Sequence, residues 1–356
     1  MTNKKALIAM SGGVDSSVAA YLVKNMGIDC IGATMKLFNG YEDEARPNSC
    51  CSASDVEDAK SVAYKLGMPY YVFNFTDKFS ECVIDKFVNA YEHGATPNPC
   101  IDCNRYLKFE KLYQRAMELK ADYVVTGHYA KVERDGQTGR FLLKKAEDHT
   151  KDQSYVLYSL TQEQLSHTLF PLGELKKTEV RQIAEKCGFI NARKHDSQDI
   201  CFVQNGKYSD FIENYMNKTY PPGDFIDKNG HVLGKHKGII RYTVGQRRGL
   251  GIAYEHSLYV ISINPSDNTV TLGDEKDLYN DSLIAGDVNL ISAESIDKPM
   301  RIKAKVRYSQ GESDAVISPS ELGIKVVFDT PQRAVTKGQA VVFYDGDTVI
   351  GGGTII

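Results

Sequence analysis

Ser11-Gly12-Gly13-Val14-Asp15-Ser16-Ser17 directly follows the apolar run Lys5–Met10. A short apolar run, two glycines and a helical pattern from Val14 to Asn25 together predict a strand, a loop and a helix. Two glycines let the backbone approach a ligand without a clash at Cβ, and the N–H groups at a helix start favour phosphate. An isolated Gly-Gly pair is more often an ordinary turn, but the whole segment indicates a phosphate-binding loop.

The side chains of this loop indicate its chemistry. Ser11, Ser16 and Ser17 offer hydroxyl donors to a phosphate, and the Asp15 carboxylate could hold a magnesium ion. The Lys-Ser/Thr ending of P-loop NTPases, whose lysine contacts the β- and γ-phosphates, is missing. The loop therefore favours a reaction in which ATP loses pyrophosphate and transfers AMP.

Composition is that of an ordinary globular protein with two or three domains. The chain has 356 residues, of which 42% are hydrophobic and 25% are charged. It contains neither a secretory h-region nor a run of roughly 20 apolar residues, so we expect a cytoplasmic protein without a membrane span.

Positive charge is concentrated in two runs, although the formal net charge is −3. Residues 228–254 and 299–310 contain Lys and Arg but no acid. In Arg301–Arg307 the cations alternate with apolar residues, which places all of them on one face of a strand. This basic stripe either contacts an anionic polymer or keeps an edge strand soluble.

Residues 1–205 alternate between strand and helix patterns. Strands are predicted at 5–10, 29–36, 69–75 and 121–126, and helices near 14–25, 54–66, 77–92 and 104–119. A hairpin near 130–145 and helices near 161–168 and 176–187 are assigned to the same domain. We expect an α/β fold with a doubly wound parallel sheet that binds its ligand at the carboxyl ends of the strands.

Beyond residue 205, short β patterns are separated by turn signals such as Asn229-Gly230 and Asp345-Gly346. Residues 300–356 predict a barrel or sandwich, in which Gly351–Gly353 would allow close backbone packing. The predicted domains are 1–205 with the phosphate-binding loop, 206–278 as a small β-rich central domain, and 279–356 as a C-terminal β-barrel.

The cysteines suggest a second chemistry. In a reducing compartment, thiols serve catalysis, metal binding or packing more often than disulfides. Cys30, Cys82 and Cys187 lie in apolar or helical patterns and are interpreted as core residues, whereas Cys50 and Cys51 receive no role.

Cys100 and Cys103 form a C-x-x-C pair where a proline-containing segment meets a predicted helix. Cys103, near that helix start and beside Arg105, is expected to have a large thiolate fraction. Cys201 is a second candidate, far along the chain. The pair alone fits redox, iron–sulfur or zinc chemistry, but a second C-x-x-C or H-x-x-x-H for structural zinc is missing.

Six segments in order resemble the bacterial tRNA-specific 2-thiouridylases, a family of PP-loop ATP pyrophosphatases. They are Ser11–Ser16, Thr96–Asn104, Thr126–Ala130, Lys151–Tyr155, Ser197–Phe202 and Tyr242–Gly251, and the resemblance extends from residue 5 to Gly351–Gly353. It implies a PP-loop domain of the adenine-nucleotide-α-hydrolase type. It also implies ATP-dependent 2-thiolation of the wobble uridine in tRNAs for Lys, Glu and Gln.

The resemblance further implies roles for individual residues. ATP, with Mg²⁺, would contact Ala9, Met10, Ser11, Gly12, Gly13, Val14, Asp15, Ser16, Met35 and Gly127. The tRNA would contact Asn98, Pro99, Cys100, His128, Lys151, Asp152, Gln153, Arg307, Tyr308 and Gln339. Cys201 would carry a persulfide received from a sulfur-relay protein or a cysteine desulfurase, and Cys103 would attack it as the nucleophile.

Several of these residues also have simpler interpretations. His128 alone would be an ordinary loop histidine, and Lys151–Gln153 a solvated turn. At the position of Cys100, many family members have Asp. Cys100, Cys103 and Cys201 could together hold a [4Fe–4S] cluster with one open iron. The persulfide route uses the same residues, and we favour it.

Two other function classes are compatible with parts of the sequence. Another PP-loop adenylating enzyme, such as an amidotransferase-type synthetase or a lysidine-type tRNA ligase, would need no cysteine pair. A sulfur-carrier or RNA-binding module with a vestigial loop would release no AMP. Alanine variants of Cys103 and Cys201 test the first alternative, and tRNA-dependent AMP release tests the second.

Overall fold

The computed structural model describes residues 4–38, 52–195, 200–203 and 207–356. Its strands are β1 (Lys5–Ala9), β2 (Asp29–Lys36), β3 (Tyr70–Asn74), β4 (Tyr123–Val125), β5 (Lys131–Arg134), β6 (Phe141–Lys144), β7 (Thr168–Leu169), β8 (Gly223–Ile226), β9 (Val232–His236), β10 (Tyr259–Asn264), β11 (Thr269–Gly273), β12 (Tyr279–Leu290), β13 (Met300–Lys305), β14 (Ser313–Ser320), β15 (Gly323–Arg333), β16 (Ala340–Asp345) and β17 (Thr348–Ile355).

The α-helices are α1 (Val14–Asn25), α2 (Ala53–Lys65), α3 (Thr76–Phe79), α4 (Asp85–Glu92), α5 (Pro99–Asp102), α6 (Leu112–Glu118), α7 (Gln162–Ser166), α8 (Lys177–Lys186) and α9 (Tyr208–Met216). π-Helical turns at Ser80–Ile84 and Cys103–Lys111 join α3 to α4 and α5 to α6. Short 3₁₀ turns lie at Ser154–Leu157, Ile239–Arg241 and Glu275–Leu278. Among the described residues, no helix has the length and apolar character needed to span a membrane.

A parallel sheet with the order β3-β2-β1-β4-β7 confirms the predicted α/β fold. The strand order reverses between β1 and β4, and the glycine loop follows β1. Because ligands bind open α/β sheets at such a switch point, beyond the carboxyl ends of the strands, this topology places the loop where a nucleotide is expected.

Strand β1 is buried on both faces of this sheet. Ala6 and Ile8 belong to an apolar cluster with Val18 of α1 and Val62 of α2, whereas Leu7 belongs to the cluster on the opposite face. Helices that cover both faces explain why this strand is continuously apolar instead of alternating.

The central β-rich segment forms a second sheet with the order β10-β11-β8-β9. Its buried residues Phe225, Val260 and Leu272 belong to the same apolar cluster as Phe79 and Phe87 of the first sheet's helices. The shared core fixes this sheet against the helices that lead toward the cysteine segments.

The C-terminal strands form a barrel, which is the first of the two architectures that the tail predicted. The strands β12, β15, β14, β13, β16 and β17 pair in that order, and β12 also pairs with β17, which closes the barrel. Gly351–Gly353 pack closely, since a Cβ added to Gly351 would lie 2.3 Å from the Asn289 carbonyl oxygen.

The hairpin near 130–145 joins this barrel instead of the first sheet. Its strands β5 and β6 extend the barrel sheet through a pairing of Lys144 with Thr348 on β17. The local pattern predicts a hairpin correctly, but only long-range contacts select the sheet to which it adds.

Candidate active site

A cavity of about 450 Å³ lies at the carboxyl ends of β1, β2 and β4. It brings together residues from the glycine loop, both cysteine segments and the barrel side. The predicted site residues that line it are Ala9, Met10, Ser11, Gly13, Val14, Asp15, Ser16, Met35, Pro99, Cys100, Cys103, Gly127, His128, Lys151, Gln153, Cys201 and Tyr308. Gly12, Asn98, Asp152, Arg307 and Gln339 lie outside its lining.

The glycine loop has a conformation that glycine alone adopts easily. Gly12 has φ +75°, and a Cβ there would lie 2.3 Å from the Asp55 carbonyl oxygen in the first turn of α2. Gly13 caps α1 with extended backbone and without a side-chain hydrogen bond to the helix start. Because glycine has no side chain that could cap them, the first-turn N–H groups of α1 suit an incoming anion.

The loop serines hold the loop together more than the sequence suggested. The hydroxyls of Ser16 and Ser17 each donate to the Gly13 carbonyl at 3.0 Å, and the Ser11 backbone N–H donates to Ser16 Oγ at 3.2 Å. Ser17 is fully buried and accepts a hydrogen bond from Asn191 Nδ2. Ser17 therefore has a structural role, whereas Ser11 and Ser16 still line the cavity.

We expect Gly12→Ala to lower the free energy of unfolding by at least about 2 kcal/mol, because it combines left-handed backbone strain with overlap against α2. Denaturant titration measures this change. Gly13→Ala is the matched control, since Gly13 has φ −87° and a Cβ there meets only Ser11 Oγ at 3.4 Å. Equal stability of the two variants would contradict the steric argument.

Asp15 lies at the centre of a polar cluster beside this loop. Lys177 Nζ donates to both of its carboxylate oxygens, at 2.7 and 2.8 Å, and the Tyr129 hydroxyl donates to Oδ1 at 2.8 Å. Both oxygens are thus already hydrogen-bonded, and this geometry does not present Asp15 as a ready magnesium ligand. In nucleotide sites, Mg²⁺ is normally bound by one or two carboxylates together with the phosphates of the substrate.

The first cysteine segment is capped as a helix start. Asn98 Oδ1 accepts from the Cys100 N–H at 3.2 Å, and Pro99 occupies the first helical position. Cys103 lies one turn later, where α5 continues into the π-helical turn, so it is not in the first turn. Arg105 forms an ion pair with Asp287 of β12. Both features that predicted a thiolate-rich Cys103 are therefore weaker than expected.

The barrel holds this cysteine segment at its other end as well. The Thr96 N–H donates to the Lys337 carbonyl at 2.8 Å. Gln339 Nε2 donates to the carbonyls of Thr96 and Pro97, at 2.7 and 3.3 Å. The Gln339 amide, which the resemblance assigns to tRNA, is thus used here to position the backbone that precedes Cys100.

Cys201 reaches the cavity from an aromatic anchor. The adjacent Phe202 is buried, with its ring centroid 5.0 Å from that of Phe87 and 5.9 Å from that of Phe79. Cys103 and Cys201 pack against the same apolar cluster and line the same cavity. Residues 196–199 of this motif, and Cys50 and Cys51, lie outside the described residues.

The three cavity cysteines do not assemble a metal site in this arrangement. Within residues 4–38, 52–195, 200–203 and 207–356, no group of three or more His, Cys, Asp or Glu side chains is placed to hold a metal ion. Cys100 is exposed, whereas Cys103 and Cys201 are half-buried. Cys100, Cys103 and Cys201 therefore do not form such a group in this structure.

His128 is a buried, neutral member of the cavity wall. Its Nδ1 lies 2.7 Å from Thr126 Oγ1, and its Nε2 lies 3.4 Å from Lys108 Nζ. Burial, with a smaller contribution from the positive charge of Lys108, holds the pKa of His128 well below its usual value. A neutral imidazole has one nitrogen that donates a hydrogen bond and one that accepts. His128 Nε2 is suited to be the acceptor, with Lys108 as its donor.

Lys151–Gln153 is more than a solvated turn. Asp152 accepts from the Ala146 N–H at 3.1 Å and from the Ser154 hydroxyl at 2.7 Å. Gln153 Oε1 accepts from the Tyr129 N–H at 3.0 Å. Asp152 therefore shapes the turn, while Lys151 and Gln153 face the cavity.

Arg307 and Tyr308 connect the barrel to other parts of the chain. Arg307 Nη2 donates to Thr336 Oγ1 at 2.6 Å and to the carbonyls of Ala334 and Val244 at 3.0 and 3.3 Å. The Tyr308 hydroxyl donates to the Asp152 carbonyl at 3.2 Å. Arg307 therefore has internal acceptors, whatever contact it makes with RNA.

We expect Arg307→Ala to reduce stability in the absence of RNA by about 1–3 kcal/mol, because partly buried acceptors lose a charged donor. Thermal or denaturant unfolding measures this effect. Arg301→Ala is the matched control, because Arg301 is exposed and pairs with Asp329 at the surface, where an ion pair contributes less than about 1 kcal/mol. If Arg307→Ala has the same free energy of unfolding as the wild-type protein, the Arg307 guanidinium has no structural role.

The basic runs are partly neutralised by acids from elsewhere in the chain. Lys228 pairs with Asp277, Lys235 with Asp224, and Arg241 with Asp210 and Glu213, whereas Arg247 and Arg248 are exposed. In the basic stripe, alternating burial places Arg301, Lys303 and Lys305 on one face of β13, and Lys303 pairs with Asp314. The prediction was wrong for Arg307, because β13 ends at Lys305. The lack of acidic residues within each run therefore overestimates the positive electrostatic potential of that part of the surface, because the neutralising acids come from other parts of the chain.

Four cavity or loop residues carry no local sequence signal. Lys108, Lys177 and Lys194 line the cavity, and buried Asn191 donates through Nδ2 to the Gly12 carbonyl at 2.9 Å. Lys194 pairs with Asp55 and Asp58 at 2.6 Å each. An isolated Lys or Asn in a helical or loop pattern resembles any surface residue, so only the fold identifies these four.

Comparisons with known proteins cover nearly the whole chain. The family models described as "tRNA methyl transferase HUP domain", "tRNA methyl transferase PRC-barrel domain" and "Aminomethyltransferase beta-barrel domain" match residues 4–205, 209–274 and 280–355. The tRNA-specific 2-thiouridylase MnmA of Clostridioides difficile is 53% identical over 354 residues, which covers 99% of this chain and 98% of the relative.

Two further relatives have the same name. The protein of Acetivibrio thermocellus is 53% identical over 358 residues, with full coverage of both chains. That of Clostridium perfringens strain 13 is 52% identical over 357 residues, covering 100% of this chain and 99% of the relative.

Proposed function

The chain belongs to the tRNA-specific 2-thiouridylase family, and we propose that it replaces the C2 oxygen of the wobble uridine in tRNAs for Lys, Glu and Gln with sulfur. Its reaction class is ATP-dependent thiolation of a tRNA uridine. The observation that carries the assignment of residues is the single cavity shared by Ser11, Gly13, Asp15, Cys103 and Cys201.

Adenylation is the first step. The uridine C2 oxygen attacks the α-phosphorus of ATP, the bond to pyrophosphate breaks, and pyrophosphate leaves with the bonding electrons. The uncapped N–H groups of α1 bind phosphate oxygens, and Met35 and Gly127 lie near the adenosine. The product carries AMP on C2, which turns a poor leaving group into a good one.

Sulfur transfer is the second step. A sulfur-relay protein or a cysteine desulfurase delivers sulfur to Cys201 as a persulfide. The Cys103 thiolate attacks the Sγ of Cys201, a Cys103–Cys201 disulfide forms, and the terminal sulfur leaves as hydrosulfide. Hydrosulfide adds at C2, AMP leaves with the C–O bonding electrons, and an external thiol reductant reduces the disulfide.

RNA recognition uses residues of the cavity wall and of the chain segments next to them. Asn98–Cys100, His128, Lys151–Gln153, Arg307-Tyr308 and Gln339 are the proposed contacts. Tyr308 and Lys151 support this proposal because both line the cavity from different parts of the fold. The target base must leave its stack to enter such a cavity.

The proposed function is tested by incubating the protein with ATP, a persulfide donor and unmodified tRNA, followed by nucleoside mass analysis. We expect the mass of the target nucleoside to change by the difference between sulfur and oxygen. We also expect AMP and pyrophosphate to form only when tRNA is present. A mass change for methylation, the reaction named in two of the matching models, would contradict the proposal. Omission of ATP is the control.

The iron–sulfur variant has its own test. We expect protein purified without oxygen to thiolate tRNA fully without bound iron, because Cys100, Cys103 and Cys201 do not form a metal-ligand group as placed. Iron and sulfide analysis on the same preparation measures this directly. Activity proportional to iron content would favour the cluster instead.

A further inference from the structure

The basic stripe on β13 consists of Arg301, Lys303 and Lys305, whose side chains share one face of the strand. Two interpretations were possible for such a stripe, contact with an anionic polymer or protection of an exposed edge strand. Strand β13 pairs with β14 on one side and with β16 on the other. Because β13 is not an edge strand, the second interpretation does not explain its cations.

Two of the three cations are neutralised within the barrel. Arg301 pairs with Asp329, and Lys303 pairs with Asp314 at 3.1 Å. Among the residues that the structure describes, no carboxylate forms an ion pair with Lys305. Lys305 is therefore the member of the stripe whose charge remains available to an anion from outside the chain.

Lys305 is nevertheless partly buried. Its Nζ lies 5.8 Å from the ring centroid of Tyr155 and 5.5 Å from that of Tyr308. Burial lowers the pKa of Lys305 below its usual value, although the charges of Asp152 and Glu312 act in the opposite direction. Removing part of the water from an ammonium group without giving it a carboxylate partner costs free energy. An anion that binds to Lys305 would recover this free energy.

The two carboxylates that attract Lys305 are bound to other groups. Asp152 accepts from the Ser154 hydroxyl at 2.7 Å, and Glu312 pairs with Lys145 at 2.7 Å. Neither carboxylate therefore needs Lys305 as its partner, and both are held in place by contacts that do not involve it.

Lys305 lies just outside the cavity lining, beside Tyr308. Tyr308 lines the cavity, and its hydroxyl donates to the carbonyl of Asp152, between the lining residues Lys151 and Gln153. Lys305 itself does not belong to the lining. When a flipped base occupies a cavity, its sugar–phosphate backbone stays outside. A cation for that phosphate is therefore expected next to the lining and not within it.

We propose that Lys305 contacts a backbone phosphate next to the target uridine and so holds this nucleotide while its base occupies the cavity. Lys305 remains protonated, and no covalent bond to it forms or breaks. This proposal rests on the proposed function, because it takes the occupant of the cavity to be a uridine of tRNA.

The first test uses Lys305→Met, which keeps an apolar stem against the two tyrosines but removes the charge. At low salt we expect the Kd for unmodified tRNA to rise about tenfold. The slope of log Kd against log salt concentration should fall by about 0.7, the value for one phosphate contact with a single strand. Lys305→Arg should recover most of the affinity.

Lys303→Met is the matched control for this variant. Lys303 lies on the same face of the same strand, but it already pairs with Asp314. We expect the affinity and the salt slope of the wild-type protein. If Lys305→Met also keeps both, the role of Lys305 is limited to packing on Tyr155 and Tyr308, and the proposal is overturned. ATP binding, measured on each variant, reports the folded fraction.

The second test locates the contact on the RNA. Two anticodon stem-loop RNAs each have an uncharged methylphosphonate in place of one phosphate, on the 5′ or the 3′ side of the target uridine. We expect one of them to bind the wild-type protein about tenfold more weakly than the unmodified RNA and to bind Lys305→Met no more weakly than the unmodified RNA does. Two changes that remove the same contact are not additive. Additive losses for both RNAs would mean that Lys305 contacts neither phosphate.

Failure of this inference can be distinguished from failure of the proposed function. If the wild-type protein thiolates tRNA and Lys305→Met binds tRNA with unchanged affinity and salt slope, the proposed function stands and the Lys305 contact is wrong. If the wild-type protein binds tRNA with a slope that depends on Lys305 but forms no thiolated nucleoside, the proposed function fails and the phosphate contact stands.

Discussion

Alanine at Cys103 or at Cys201 is expected to abolish sulfur transfer to tRNA while leaving ATP binding unchanged. In the proposed mechanism each thiol has a separate covalent role, Cys201 as the persulfide carrier and Cys103 as its attacker, so loss of either one would stop the same step. Both side chains are half-buried and line the cavity. Nucleoside mass analysis and nucleotide binding measure the two effects.

Two cysteine variants serve as comparisons for this result. Cys187→Ser replaces a half-buried thiol of α8's C-cap, outside the cavity lining, and is expected to keep activity. Cys100→Asp introduces the residue that many family members have, and it is also expected to retain thiolation. Full activity of both alanine variants would instead favour another PP-loop adenylating enzyme, and loss of activity in Cys100→Asp would favour a cluster.

Asp15→Asn is expected to reduce tRNA-dependent AMP formation at least about a hundredfold while tRNA binding survives. Asparagine has nearly the same shape as aspartate but no charge. It therefore cannot hold the Lys177 ammonium group as the carboxylate does, although its amide oxygen can still accept from the Tyr129 hydroxyl. Quantified AMP release and a tRNA-binding titration separate the chemical step from recognition.

Asp122→Asn is the control for the Asp15 variant. Asp122 accepts from the Lys5 N–H at 2.9 Å and pairs with Lys4, at the amino-terminal end of β1 and so opposite the glycine loop. We expect normal AMP formation from it. If tRNA binding disappears in Asp15→Asn, Asp15 supports the fold of the binding surface and has no specific role in adenylation.

Local pattern was sufficient for the elements of the first sheet. The predicted strands 5–10, 29–36 and 69–75 correspond to β1, β2 and β3 within one residue at each end. Apolar runs bounded by glycine, and helices with a clear apolar face, depend on interactions between residues near in sequence. The same reasoning predicted the phosphate-binding loop, whose conformation requires glycine at position 12.

Contacts between residues that are distant in sequence could not be predicted from local patterns. The pairing of Lys177 with Asp15 spans 162 positions, and the contact of Gln339 with Thr96 spans 243. Neither side chain belongs to a local pattern that distinguishes it from a surface residue. The charge of residues 228–254 shows the same effect, because Asp277, which neutralises Lys228, lies outside that run.

The order of residues alone therefore determined the α/β class and the glycine loop, because both follow from short-range geometry, whereas the roles of the two candidate thiols came from the family resemblance. Tertiary structure decided that both thiols line one cavity, that Lys177 lies against Asp15 in it, and that the hairpin β5–β6 extends the barrel. The physical reason is that burial and ion pairing depend on which surfaces meet, and chain folding brings together residues whose separation in sequence carries no information about their distance in space.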